Sequence, residues 1–471
     1  MYFEIGKKMN KIQCVSPVDG SVYAEREVAT NDQVATIFAK AVAAQHLWAQ
    51  ETVAKRCEYC SLAVDAMLGM SERIAEELAW QMGRPISQGA GEVKGLEERA
   101  RHMIAIAEEA LEPLDPGFKE GFSRKISREP LGVVMTIAPW NFPFMTALNS
   151  VIPALLSGNA VVLKHAASTL LVAERIQDAF DQAGLPEGLF QHIVLDHALT
   201  SELIASGNVD MVCFTGSVGG GKAMEQAAAG QFIPLGLELG GKDPAYVRAD
   251  CNIPYAIENL ADGAFFNSGQ SCCSIERIYV HESVHDELVK GLAAAGRAYT
   301  LGNPLDAATN LGPMIKPAAA DFVRKQVADA VAMGATTHVD TSQFALDKAG
   351  SAYMAPQVLT DVTHEMSVMM DESFGPVVGV IKVSSDEEAI ALMNDSEFGL
   401  TAGIWTEDVK AAERIAPQLE TGTVFMNRCD YLDPALAWTG VKDTGRGCSL
   451  SKMGFDALTR PKSFHFKTST N

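Results

Sequence analysis

The chain has 471 residues, of which 47% are hydrophobic and 21% charged; that balance excludes disorder, and the absence of any apolar run near the roughly twenty residues of a membrane helix excludes a membrane-spanning protein. Its 38 basic and 59 acidic residues leave a net charge of −21 with no basic stripe, which argues against a nucleic-acid partner. Nine thinly spread cysteines fit a reducing compartment, and Met1 to Lys8 lack the apolar core of a signal peptide, so a cytoplasmic protein of two or three domains is expected.

Before Leu111, charge and helical period dominate. Cys57 and Cys60 have a metal-type spacing but lie in a helical stretch with no second pair, and His281 and His285 find no third ligand, so no metal is expected. Apolar and polar residues alternate over 121–128 and again over 462–467, the period of strands with one covered face. After Pro130, apolar runs at 132–137, 160–164, 192–195 and 211–214 read as strands, with helices around 147–156 and near 170–183 between them. That alternation predicts a parallel sheet covered on both faces, an architecture of the dinucleotide-binding type. A second α/β unit begins near Gly240 and runs to about Asn427, with strands at 277–280, 377–381 and 423–426. No internal repeat or low-complexity linker interrupts the chain.

Three segments carry chemistry. Asn267-Ser268-Gly269-Gln270-Ser271 leads into the adjacent thiols Cys272 and Cys273, downstream of Leu237-Glu238-Leu239-Gly240-Gly241-Lys242. A thiolate can attack an electrophilic carbon and later leave if another group activates water, a task for which Glu238 between two leucines is suited. Pro139-Trp140-Asn141-Phe142-Pro143 supplies a side-chain amide able to donate to a developing oxyanion. A buried cysteine is often only a small core hydrophobe and an asparagine beside proline a turn former; the conjunction is what points to acyl chemistry. Gly216-Ser217-Val218-Gly219-Gly220-Gly221-Lys222 has the spacing of a phosphate-cradling loop of nucleotide triphosphatases, but the next residue is Ala223, where Mg²⁺ needs a hydroxyl. The same glycines suit a dinucleotide pyrophosphate at a helix N-terminus.

In this order these segments, together with Leu163-Lys164, Phe214-Thr215-Gly216-Ser217, Leu311-Gly312-Pro313, Glu372-Ser373-Phe374-Gly375-Pro376, Phe398-Gly399-Leu400 and Gly440-Val441-Lys442-Asp443-Thr444-Gly445, resemble the aldehyde dehydrogenase superfamily over nearly the whole chain. The resemblance implies an α/β fold. Residues 1–116 and 131–239 would form a Rossmann-type dinucleotide-binding domain, 240–438 a catalytic domain, and 117–130 with 455–471 a small β-ribbon oligomerisation element. Such ribbons pair between subunits in the family, implying a homodimer or homotetramer.

The resemblance also implies an activity, the NAD- or NADP-dependent oxidation of an aldehyde to a carboxylic acid through a thiohemiacetal and a thioester. It makes Cys272, two residues after Gln270, the nucleophile, with Glu238 as general base and Asn141 as oxyanion donor. Glu238 sets the chain apart from the CoA-acylating branch, which typically lacks that base. For the cofactor it implies Lys164 at the adenosine ribose, Trp140 along the cleft, Ser217 at the pyrophosphate with Gly216 and Gly221, Glu372 at the nicotinamide ribose and Phe374 near the ring. Many NAD-preferring members carry a glutamate three residues after the lysine; here Ala167 stands there, leaving Lys164 or His165 free to attract a 2′-phosphate. Phe142, Met145, Asn149, Ser271, Cys273 and Arg428 are the expected substrate-lining residues, and Asn149 with Arg428 hints at a small polar or anionic aldehyde such as a semialdehyde. The stretch Gly445-Arg446-Gly447-Cys448-Ser449 departs from the family's usual Gly-x-Gly-Arg-Glu. A non-catalytic binding member and a triphosphatase are the two rival readings.

Overall fold

The computed structural model describes residues 10–470, so the reading of Met1 to Lys8 and the extreme ends of the terminal segments lie outside the described residues. Two sheets organise the chain. In the first, Val133–Ala138 is buried along its whole length, as a central strand covered on both faces must be. It pairs in parallel with Ala160–His165 on one side and Met211–Thr215 on the other. Phe190–His192 extends the sheet beyond Ala160–His165, and Leu235–Glu238 extends it beyond Met211–Thr215. Gly445–Arg446 closes that last edge as an antiparallel strand, in register Gly445 with Glu238. Gly445 has φ +110°, and a side chain there would stand 2.2 Å from the Leu237 carbonyl, so only glycine lets the late segment lie against this strand.

The second sheet has seven strands, with Ile275–His281 central between Val377–Val383 and Asp243–Val247. All its pairings are parallel except the edge strand Thr336–Thr337. The expected alternating segments form an antiparallel ribbon, Phe122–Pro130 with Thr459–Lys467, whose second strand is mostly exposed. No described helix is long and apolar enough to cross a membrane.

The helical N-terminal stretch resolves into Asn31–Trp48, Val53–Gly69, Ser71–Met82 and Ile86–Ala110, preceded by an unforeseen hairpin of Lys11–Val15 and Val22–Glu27. Cys57 and Cys60 lie together on the second of these helices, with Cys60 fully buried. The helix expected from residue 147 begins at Pro143, where proline's fixed φ favours a first turn. The strand expected at 192–195 is instead Phe190–His192. Ile193 and Leu195 are buried just beyond it, where the Ile193 N–H still donates to the Leu163 carbonyl and the Val194 carbonyl accepts from the Ala29 N–H, so the chain leaves the sheet while its apolar side chains stay in the core.

The candidate site lies where both sheets present their connections. Asn141 follows Val133–Ala138, Lys164 is near the end of Ala160–His165, Ser217 follows Met211–Thr215, and Glu238 ends Leu235–Glu238. These are the carboxyl ends of parallel strands, the usual ligand edge of such sheets.

Candidate active site

Cys272 follows a backbone that only a constrained loop can hold. Asn267, Ser268 and Gly269 all have positive φ, at 52°, 57° and 68°. A side chain at residue 269 would stand 2.2 Å from the Gly375 carbonyl. Asn267 donates from Nδ2 to the carbonyls of Gln270 at 3.2 Å and Asn141 at 3.3 Å, and the Ser268 hydroxyl donates to the Gly312 carbonyl at 2.9 Å. Gln270 accepts from the Ile315 N–H at 2.8 Å. The tight loop therefore aims Cys272 into a cavity of about 390 Å³ that Glu238 also lines.

The oxyanion loop is fixed from behind by a pair absent from the sequence reading. Arg84 and Glu92, both buried, form an ion pair; the guanidinium also donates to the Asn141 carbonyl and stacks on Phe142 with its carbon 4.6 Å from the ring centre. Glu92 accepts from the Phe144 and Met145 N–H groups at 2.9 and 3.0 Å, so its charge lies at the N-terminus of Pro143–Leu156, where a helix favours an anion. The Asn141 side-chain amide and the Cys272 N–H have no protein partner among the described residues, which leaves both free to donate.

Glu238 is held at both oxygens. The Ser449 hydroxyl donates to Oε1 and the Thr215 hydroxyl to Oε2, the latter at 3.3 Å. Burial pushes its carboxyl above the ordinary range, opposed by these two donors and by the Arg99 charge. Glu238 also lines a second cavity of about 130 Å³ bounded by Gly447, Cys448 and Ser449, so the atypical late segment forms a wall of the surroundings of Glu238.

Of the expected substrate residues, Phe142, Met145, Asn149, Ser271 and Cys273 line the larger cavity. Cys273 is buried, and its thiol donates to Asp430 at 2.9 Å; the neighbouring Cys272 thiol and then burial push its pKa up, so it stays protonated. Arg428 is not among them. It is exposed, stacks on Tyr431 at 3.4 Å and does not line the cavity; the cations that do are Arg84, already paired with Glu92, the exposed Lys94, and Arg99, unforeseen because nothing local distinguishes it on an amphipathic helix.

A second group of residues lies on the far side of Gly240 and Gly241. Side chains at those glycines would stand 2.4 Å from the Glu372 carboxylate and 2.2 Å from the Cys272 carbonyl, so both must be bare. Glu372 accepts from the Gly241 N–H at 2.9 Å through Oε1, while Oε2 has no protein donor among the described residues. Burial, with the charge of Glu276, pushes its carboxyl up to about 7. Glu276, paired with Lys242, accepts from the Ser373 and Phe374 N–H groups at 2.8 and 2.9 Å, which holds Phe374 at φ 50° and edge-on to Trp140 with centroids 5.5 Å apart. Ser217 caps Val218–Ala228 by accepting from the Gly220 N–H at 3.2 Å. Gly216 and Gly221 have a packing reason as well, since side chains there would meet Phe214 and Leu239. Lys222, the lysine of the rival phosphate-loop reading, pairs with Asp443 at the surface.

His165 is turned inward. It is buried, accepts from the Ala166 N–H at 2.9 Å, and burial holds its pKa down to about 4, so it is neutral and committed internally. Lys164, whose ammonium has no partner among the described residues, is the cation left at this edge.

The family model described as "Aldehyde dehydrogenase family" matches residues 4–464. The chain is 33% identical over 414 residues to a succinate-semialdehyde dehydrogenase [NADP(+)] of Mycobacterium avium (strain 104), covering 87% of each. It is 33% identical to an aldehyde dehydrogenase of Paenarthrobacter nicotinovorans, over 94% of this chain and 97% of that one. Among solved structures, the aldehyde dehydrogenase of Brucella melitensis biovar abortus 2308 superposes with a TM-score of 0.93 at 28% identity, covering 98% of this chain and 94% of the other. A betaine aldehyde dehydrogenase of Staphylococcus aureus in complex with NAD+ gives a TM-score of 0.91 at 27% identity, over 98% and 93%. The chain belongs to the aldehyde dehydrogenase family, and the α/β fold expected of that family is the one its sheets and ribbon form.

Proposed function

We propose that this chain oxidises a small polar aldehyde of the semialdehyde class to its carboxylic acid, with NAD or NADP as oxidant, through a thioester on Cys272. One observation carries the reading: Cys272 and Glu238 face the same cavity while the free Asn141 amide is anchored through its carbonyl to the loop that bears Cys272. Thiolate addition at the carbonyl carbon places the oxygen's charge between the Asn141 amide and the Cys272 N–H, donors that need no rearrangement. When bound, the nicotinamide supplies the two-electron acceptor for the hydride that leaves the substrate carbon. Glu238 then takes a proton from water, the water attacks the thioester, and Cys272 departs as thiolate; a carboxyl group raised by burial retains basicity near neutral pH.

The residues present fit the dinucleotide. The free Oε2 of Glu372 suits ribose hydroxyls, the N-terminal amides of Val218–Ala228 suit a pyrophosphate, and Trp140 with Phe374 offers apolar surface to a ring. Lys164, without a carboxylate at Ala167, favours acceptance of a 2′-phosphate, in keeping with the NADP(+) in the names of several relatives. Residues 1–116 with 131–239 would hold this cofactor and 240–438 the nucleophile. The segments 117–130 and 455–471, which contribute the ribbon of Phe122–Pro130 and Thr459–Lys467 with Phe466 58% exposed, would join subunits into a homodimer or homotetramer in the cytoplasm. The test is NAD(P)H formation across a panel of aldehydes with each cofactor, comparing the native chain with Cys272→Ala. Turnover abolished by the substitution supports the reading, and turnover that survives it refutes the role of Cys272.

A further inference from the structure

The larger cavity contains a polar subsite that no catalytic role uses. Arg99, from Ile86–Ala110, and Asn149, from Pro143–Leu156, both line it, together with Met145, Thr146, Glu238 and Cys272. Arg99 donates from Nη1 to Oδ1 of Asn149 at 3.4 Å, and it has no carboxylate within ion-pair distance among the described residues. Asn149 is only 3% exposed, and its Nδ2 has no hydrogen-bond partner among the described residues.

The acids of the same cavity are mostly engaged elsewhere. Glu92 is paired with Arg84, Glu98 accepts from the Tyr431 hydroxyl, and Asp430 accepts from Ser271 and Cys273. Asp262 lacks a partner but is carried by Ile253–Phe265, and burial followed by the charge of Asp430 pushes its carboxyl up, toward the neutral form. Arg99 keeps some accessible surface, which belongs to the cavity, although protein surrounds it closely enough that burial holds its pKa down.

A buried amide N–H without an acceptor and a guanidinium without a counter-ion both cost free energy, and a ligand that supplies acceptor oxygens to both removes that cost. The free groups of the Arg99–Asn149 pair are all donors: the remaining guanidinium N–H groups and Nδ2 of Asn149. A planar anion with two oxygens matches them best, because a guanidinium meets a carboxylate through paired, charge-assisted bonds. We infer that Arg99 and Asn149 grip the distal carboxylate of an ω-oxo acid while its aldehyde carbon meets Cys272. The assignment rests on the oxidation reading above and deepens it, because it names the residues that would select a semialdehyde over an uncharged aldehyde.

The experiment measures kcat/KM of the full chain with ω-oxo acids of three to five carbons, the alkanals of the same length and ω-amino aldehydes. The native chain is expected to prefer one of the oxo acids over its alkanal. In Arg99→Gln that preference ratio is expected to fall by about 30-fold, mainly through KM, and Arg99→Lys to restore part of it, in line with the worth of charged hydrogen bonds. Taking the ratio cancels any general damage from the substitution. An unchanged ratio in Arg99→Gln, or a native preference for alkanals or ω-amino aldehydes, overturns the assignment while leaving the oxidation reading intact. If no aldehyde is oxidised, the oxidation reading fails, and calorimetric titration with succinate decides the subsite separately: binding weakened at least about tenfold in Arg99→Gln supports it, and equal or absent binding overturns it.

Discussion

Asn267 donates from its side chain to the backbone carbonyl of Asn141 at 3.3 Å, joining the strained loop before Cys272 to the loop that carries the Asn141 amide, the proposed oxyanion donor. The same carbonyl accepts from Arg84, whose charge is balanced by Glu92, so one buried cluster ties the loops of Asn141 and Cys272 together.

Glu92→Ala therefore has two expected effects. It leaves Arg84 buried without a counter-ion and the Phe144 and Met145 N–H groups without their acceptor, a loss of about 3–5 kcal/mol in unfolding free energy by denaturant titration. It also frees the Asn141 loop, so kcat falls more than KM rises. Unchanged stability would show that the pair is not the tie it is taken to be.

Ser449→Ala tests the support of the base. The Ser449 hydroxyl stabilises the ionised form of Glu238, so its removal raises the carboxyl pKa further. The acidic limb of the kcat profile is expected to move to higher pH, with the plateau rate recovered above it. A rate lowered equally at all pH values would assign Ser449 a structural role only.

Glu372 costs stability. Its carboxyl, normally near 4.5, is raised to about 7 in the folded chain, so folding is penalised progressively as pH rises through that window and fully above it. Glu372→Gln, which keeps an acceptor for the Gly241 N–H, is expected to be more stable than the native chain at pH 8, by on the order of 1–3 kcal/mol and hence with a higher melting temperature, and to lose that advantage near pH 4. Its KM for the dinucleotide should rise. A lower melting temperature at pH 8 would contradict the buried, raised carboxyl.

Cys272, Glu238 and Asn141 could be singled out in the sequence because each stands in a local pattern of small, apolar and amide residues that the proposed chemistry requires. Their supports were not. Glu92 reaches the Met145 N–H, Ser449 reaches Glu238 and Asn267 reaches Asn141 across long separations in the chain, contacts that only the fold creates. The same gap explains why Arg99 was not singled out: the loop residue Arg428 looked available for substrate, and its guanidinium stacks on Tyr431 outside the cavity lining, while Arg99 reads as an ordinary helix-surface cation until Pro143–Leu156 packs against its helix. Strands with fully buried faces, such as Val133–Ala138, announced themselves by continuous apolar runs. The run at 192–195 gave the same signal from a buried loop, because burial and strand pairing are separate demands.

The central claim is that Cys272 forms a thioester which Glu238 helps to hydrolyse, and a single-turnover measurement of Glu238→Gln tests it most directly. With excess aldehyde and cofactor, the variant is expected to release about one equivalent of NAD(P)H per active site in a rapid burst and then nearly stop, with the acyl group found on Cys272 by intact and peptide mass spectrometry. Steady turnover at the native rate, or an acyl group on another residue, would contradict the account.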